Sequence, residues 1–258
     1  MSLNPLRVMV VDDSAFMRKF LGDIIKGDKD LLLVGTARDG KDALRKWRLF
    51  KPDVITLDVE MPNLDGIETL KKIMEERPLP VLMISSHTKR GSEIALEALS
   101  AGAVDFITKP SFSRQENIEE IRVLLPEKIK MIARARLIKY GALSRKEVNS
   151  NTISPISREK HLLKQAPRYA VAIGSSTGGP RALEEVMRDL PRDLPAAIFI
   201  TQHMPAGFTK SLAARLDRVS ALKVKEAAEG ETVFRGYAYL AKGGYHLVLG
   251  EKRNIICL

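Results

Sequence analysis

The sequence predicts two α/β units in tandem, the first a doubly wound parallel sheet of five strands. Three observations predict it. Short apolar runs alternate with helical periods over residues 1–125, a polar and basic stretch then interrupts the beat, and a fresh strand–turn–helix–strand pattern starts at Tyr169. A length of 258 residues suits two domains better than one.

The elements follow in order. Arg7–Val11, Leu31–Thr36, Val54–Leu57, Val81–Ser85 and Val104–Thr108 are continuous apolar runs, the mark of strands buried on both faces. Between the first two, Phe16, Phe20, Ile24 and Met17, Leu21, Ile25 step by four and predict one wide apolar helical face. Ala43, Leu44, Trp47 and Ile94, Leu96, Ala98, Leu99 predict further helices. Residues Ile118–Tyr140 look helical, but Pro126 should break or kink the run. Gly141–Pro167 has no period and reads as linker. The expected division is therefore 1–125, a helical and basic linker at 126–168, and 169–258. In the last segment, strand Tyr169–Ile173, helix Arg181–Asp189, strand Ala196–Thr201 and helix Thr209–Leu216 precede β-like runs at Leu222–Val224, Tyr237–Leu240, Tyr245–Leu249 and Ile255–Leu258.

Charge and cysteine count exclude several classes. The net charge is +10, but residues 1–125 hold 19 Lys+Arg against 20 Asp+Glu, residues 126–168 hold 11 against 3, and residues 169–258 hold 12 against 9. The excess sits in the linker rather than on a folded face, and no nucleic-acid reading motif accompanies it. One cysteine, Cys257, excludes an intramolecular disulfide framework and a cysteine zinc cluster. No apolar run reaches 18 residues and the start shows no signal-peptide pattern, so a cytoplasmic protein without direct membrane insertion is expected.

Chemistry-bearing residues gather at predicted strand C-termini, where open α/β sheets bind ligands. Asp12 and Asp13 end the first strand, Asp58 the third and Ser85 the fourth, while Lys109-Pro110 follows the fifth. Taken singly, Asp13 or Ser14 could be a helix N-cap and Lys109-Pro110 a loop. Together, three carboxylates in a 2-1-3-4-5 sheet make a site for a hard cation such as Mg²⁺. Asp58 can then attack a phosphoryl group, with the metal and Lys109 neutralising the developing charge.

The stretches VVDDS, DVEMPNLDG, MISS and ITKP resemble the flavodoxin-like receiver domain of two-component response regulators over roughly residues 5–125. The resemblance implies that Asp58 is the phosphoacceptor. It makes Asp12, Asp13, Asp58 and the Glu60 backbone carbonyl the Mg²⁺ ligands. Ser85 becomes the hydroxyl that reports phosphorylation, Phe106 the aromatic that rearranges with it, and Lys109 the phosphate-binding cation.

Gly174-Ser175-Ser176-Thr177-Gly178-Gly179-Pro180 lies between a predicted strand and helix and satisfies G-x-S-x-G. A nucleophilic Ser176, an anion-binding loop and a plain tight turn all fit that pattern. A phosphate loop of the G-x-x-x-x-G-K-[ST] type does not, because Pro180-Arg181 replaces its lysine and hydroxyl. His203 follows the next strand and becomes a candidate general base for Ser176. His87, His161 and His246 have no such partner.

AIGSSTGGP, QHMP after a strand, and the order receiver–linker–second domain resemble chemotaxis protein-glutamate methylesterases. The resemblance implies a nucleophile at Ser176, Thr177 beside it in the turn, and His203 as general base, with no cofactor for ester hydrolysis. It further implies substrates that are methylated glutamates of methyl-accepting chemoreceptors, glutamine deamidation as a second activity, and a chemotaxis histidine kinase as phosphodonor. In that family the receiver masks the esterase site until phosphorylation.

One departure stands out. The family's acid lies in a G-M-G-x-D-G stretch that is absent here, and Asp217 is the only aspartate after His203. The expectation is a catalytic domain lacking its C-terminal part and catalytically incomplete, since loss of the triad acid costs ~10⁴ in serine proteases. The alternative function is a receiver with a non-catalytic docking output.

Overall fold

The computed structural model describes residues 4–86, 88–110, 115–134, 165–250 and 256–257. The chain divides into two compact units, Met1–Leu143 and Ser144–Leu258.

The first unit alternates β1 (Leu6–Val11), α1 (Ala15–Lys26), β2 (Leu31–Ala37), α2 (Gly40–Phe50), β3 (Val54–Asp58), α3 (Gly66–Glu76), β4 (Val81–Ser85), α4 (Lys89–Ala101), β5 (Asp105–Thr108) and α5 (Gln115–Ile132). The strands lie in the order β2-β1-β3-β4-β5, every pair parallel. The expected sheet order is thus the observed one. Val8–Val11, Ile55, Leu57 and Leu82–Ile84 are fully buried, as strands covered on both faces must be. Ser14, Asp39, Asp65 and Thr88 open α1 to α4, each side chain accepting an N–H from the first turn of its helix. Those caps start each helix just beyond a strand end and so fix the loops that carry the site.

Two expectations change. The apolar face of α1 is narrower than its two rows of four-residue steps suggest. Met17, Leu21, Ile24 and Ile25 are buried, but Phe16 is 59% exposed and stacks on Phe20. A helix lying on a sheet hides only the stripe that faces it, so Phe16 falls on the rim while Phe20 packs partly against the core. The other change is α5, which runs through Pro126 to Ile132. Proline there forfeits one helical hydrogen bond and crowds the preceding turn, at a cost of ~3 kcal/mol. Burial of Ile129 and Ile132 with Ile121 and Leu125 offsets it. So do the ion pairs of Lys128 with Asp105 and of Lys130 with Asp28. The first unit therefore includes residues beyond the expected boundary at 125. Most of the expected linker, residues 135–164, lies outside the described residues with His87 and His161.

The second unit is built from β6 (Tyr169–Ser175), α6 (Gly179–Asp189), β7 (Ala196–Gln202), α7 (Phe208–Val219), β8 (Lys223–Glu226), β9 (Tyr237–Leu240), β10 (Val248–Leu249) and β11 (Ile256–Cys257). β6-β7-β9-β8 form a parallel sheet, and β10 pairs antiparallel with β11. Tyr239 is fully buried between stacked Phe199 and Tyr237, and its hydroxyl accepts from the Phe234 N–H at 2.9 Å. Among the described residues β6 pairs only with β7, and its Tyr169 and Val171 side chains are exposed.

The Lys128–Asp105 pair is nearly buried, which makes one prediction about the first unit. Lys128→Met removes the ammonium that faces the buried Asp105 carboxylate and should destabilise this unit by ~3 kcal/mol. Lys128→Met with Asp105→Asn should recover most of that loss. Trp47, the only tryptophan and fully buried in this unit, reports its unfolding by fluorescence in urea. Equal losses in the single and double variants would contradict the assignment of the cost to an unpaired charge.

Candidate functional sites

The carboxyl edge of the first sheet gathers the residues expected there. Asp12 and Asp58 are buried and Asp13 is exposed, and carboxylate oxygens of all three lie within 4.8 Å of one another. Asp12 Oδ1 accepts from the Ser14 N–H at 2.8 Å, and Ser14 in turn caps α1. The cap is therefore Ser14, which leaves the Asp13 carboxylate free of that duty. Lys109 Nζ sits 2.8 Å from Asp58 Oδ2 and 3.2 Å from Asp12 Oδ2. One ammonium faces three carboxylates, so the cluster carries excess negative charge.

Burial pushes the Asp58 carboxyl up to about 6, against the pull of Lys109. Asp12 is raised for the same reason. Burial opposes the charged form of Lys109, but the hydrogen bond and charge of Asp58 outweigh it and raise the lysine. Asp12 Oδ2 is buried, and its contact is the 3.2 Å ion pair with the Lys109 ammonium. An all-oxygen set of three carboxylates facing one ammonium fits a hard divalent cation. The Glu60 N–H donates to Asp58 Oδ1 at 3.4 Å, so the Glu60 peptide borders the pocket.

Ser85 and Phe106 occupy the neighbouring strands. The Ser85 hydroxyl is buried and donates to the Gly91 carbonyl in the first turn of α4, at 2.9 Å. Phe106 is buried on β5, and Lys109 follows that strand with its N–H on the Ser85 carbonyl at 2.7 Å. Arg18 was not legible as part of this site. Its guanidinium donates to the carbonyls of Asp12 and Asp13 at 2.8 and 2.9 Å, clamping the acidic turn. Nothing in sequence spacing marks it, because the contact depends on α1 folding back over the end of β1.

In the second unit the parallel register pairs Gly174 with Thr201 and Ser175 with Gln202. Ser176 and His203 therefore leave adjacent strand ends, about 4.8 Å apart by strand spacing. The His203 N–H donates to the Ser175 carbonyl at 3.0 Å. Both residues are exposed, and Thr177 is half-buried beside Ser176. The turn needs two of its glycines. Gly178 has φ 76° and opens α6, a left-handed position that favours glycine. Gly179 has no room for a Cβ, which would lie 2.0 Å from Gln202 Oε1. Gly174 has neither constraint. Helix α6 starts without a side-chain cap, so the positive end of its dipole faces the turn that carries Ser176.

Asp217 is not a partner for His203. Its carboxylate accepts from the Val224 N–H at 2.8 Å and pairs with Lys223, tying α7 to β8. Among the described residues no hydrogen bond or ion pair joins the His203 ring to a carboxylate. His246 is exposed on the loop before β10.

The fold and these two sites define a class: a response-regulator receiver joined to an α/β unit with a serine–histidine turn. Family models agree, the response regulator receiver domain matching residues 8–122 and the CheB methylesterase matching residues 171–256. The protein-glutamate methylesterase/protein-glutamine glutaminase of Halalkalibacterium halodurans is 51% identical over 94% of this chain and 67% of its own length. That of Bacillus subtilis is 47% identical over 94% of this chain and 68% of its own. The response regulator domain of Thermotoga maritima CheB is 50% identical, with 52% of this chain and 99% of that one covered at a TM-score of 0.48. The chain belongs to the protein-glutamate methylesterase/protein-glutamine glutaminase family. A methylesterase match over the second unit favours a hydrolase over a docking-only output.

The acidic pocket makes a pH-dependent prediction. A carboxyl whose folded pKa is raised binds its proton more tightly in the folded state. Its contribution to stability is full below the ordinary 3.8 and is lost as pH rises through about 6. Mg²⁺ should relieve that loss. At pH 7.5 a saturating concentration, ~100 times Kd, should stabilise the first unit by ~2.7 kcal/mol, with little effect near pH 4. Urea unfolding followed by Trp47 fluorescence with and without Mg²⁺ checks this. An effect equal at both pH values would argue against binding at these carboxylates.

Proposed function

We propose that this chain is a phosphorylation-regulated hydrolase of chemotaxis adaptation, removing methyl esters from receptor glutamates and deamidating receptor glutamines. The observation that carries it is the pairing of two strand-end sites in one chain: a lysine-bridged acidic pocket and a serine–histidine turn.

In the first site Asp12, Asp13, Asp58 and the Glu60 carbonyl would hold Mg²⁺. When bound, the ion neutralises charge on an incoming phosphoryl group. Asp58 is the nucleophile; with a pKa of about 6 it is mostly ionised near neutral pH even before the cation lowers it. Its Oδ attacks phosphorus, and the bond to the phosphodonor breaks as an acyl phosphate forms. Lys109, already 2.8 Å from Asp58 Oδ2, then holds a phosphoryl oxygen. Ser85 exchanges its bond to the Gly91 carbonyl for a phosphoryl oxygen, and Phe106 follows. The donor is a chemotaxis histidine kinase.

In the second site Ser176 Oγ attacks the glutamyl ester carbonyl while His203 takes the serine proton. The tetrahedral oxyanion faces the positive, uncapped start of α6. Collapse expels methanol, protonated by His203, and leaves an acyl-serine. Water activated by His203 hydrolyses it to glutamate and free Ser176. A glutamine amide follows the same path with ammonia as the leaving group. No cofactor enters that sequence. No described helix is long and apolar enough to cross a membrane, and the proposed location is the cytoplasm.

Two measurements test the reading. Incubation with acetyl phosphate and Mg²⁺ should add one phosphoryl group by intact mass, and Asp58→Asn should abolish it. An adduct that survives Asp58→Asn would refute the phosphoacceptor assignment. Methanol release from methylated receptor fragments, slowed by the lack of a carboxylate partner for His203 among the described residues, should be lost in Ser176→Ala and reduced further in His203→Ala. Release undiminished in Ser176→Ala would refute the nucleophile.

A further inference from the structure

Gln202 is a polar side chain buried at the end of an apolar strand, only 6% exposed. Its amide makes three hydrogen bonds, all within the turn that carries Ser176 and His203. The Ser175 hydroxyl donates to Oε1 at 2.7 Å. Nε2 donates to the Ser176 carbonyl at 2.9 Å and to the His203 carbonyl at 3.2 Å. This orientation of the amide is required. Both carbonyls can only accept, so the nitrogen must face them, and the hydroxyl is the group that can donate to the oxygen. The Ser176 carbonyl also accepts from the Gly179 N–H at 2.8 Å.

One side chain thus grips the peptide that leaves Ser176 and the peptide that leaves His203. Exposed residues Ser176 and His203 have little packing of their own to set their directions. The space at Gly179 serves the same arrangement, since a Cβ there would strike Oε1 and expel the amide. We propose that Gln202 is a positioning residue that holds the Ser176 nucleophile and the His203 base in mutual register. The inference rests on the reading of those two residues given above. A buried amide is suited to the task because removing it leaves buried polar atoms unsatisfied, so the turn cannot move without losing its bonds. Misplacement of reacting groups by ~1 Å costs ~100-fold in rate.

The test uses Gln202→Met in the full chain, which keeps the side chain's length and removes donor and acceptor together. The Gly179 and His203 amides should exchange hydrogen about tenfold faster, since each is bonded inside the gripped turn. The Lys223 and Ala227 amides, bonded to Gly236 and Leu240 carbonyls across β8 and β9, should keep their rates. For methyl-ester hydrolysis, kcat should fall at least tenfold with KM unchanged. Ser175→Ala, which removes the hydrogen bond to Oε1 and the longer contact with the Thr201 carbonyl but leaves both Nε2 bonds, should move all readouts in the same direction but less. Unchanged exchange at Gly179 and His203 would overturn the proposal. So would faster exchange at all four amides alike, the mark of a merely structural loss, or an unchanged kcat. The exchange comparison needs no turnover. Hydrolysis that persists in Ser176→Ala would instead defeat the nucleophile assignment, while the exchange result still decides whether Gln202 holds the turn.

Discussion

The receiver depends on a single ammonium, that of Lys109, placed between two buried carboxylates. Bringing Asp12 and Asp58 together at strand ends is unfavourable without it, and one lysine does not neutralise three acids. The doubly wound sheet makes the arrangement possible. It delivers the ends of β1, β3 and β5 to one crevice, and the capped helices α1 to α4 hold the connecting loops close to those ends. The residual charge is what suits the pocket to a cation and an activated phosphoryl group.

The second unit uses the same geometry for different chemistry. Parallel pairing of β6 with β7 sets Ser176 beside His203 without either residue being buried. The precision of that site comes from polar contacts below it, where Gln202 meets Ser175, Ser176 and His203. Each site therefore has a polar group tying its parts together: half-buried Lys109 between the acids and buried Gln202 under the turn. In a low-dielectric setting such groups keep their neighbours in place, because any displacement leaves a polar atom unpaired.

Local conflicts are settled by packing in both units. Pro126 opposes a helix, yet α5 continues because Ile129, Ile132, Lys128 and Lys130 all find partners beyond it. Phe16 continues an apolar row, yet lies outside because the sheet covers only part of α1. Asp217 has the residue type to serve His203, but α7 directs its carboxylate to Val224 and Lys223.

By itself the sequence determined the alternation of strands and helices and the residues expected at the strand ends. Those features rest on hydrophobic period and on residue types at strand termini, both of which are local. Only the tertiary structure decided that Ser14 rather than Asp13 caps α1, that Arg18 clamps the acidic turn, and that Gln202 lies beneath Ser176 and His203. It also decided that Gly179 is glycine for want of space while Gly174 is not. These are contacts between segments separated along the chain, and they depend on strand register and helix direction. A one-residue shift in register would place different side chains at the same crevice, and no local pattern records which one the packing selects.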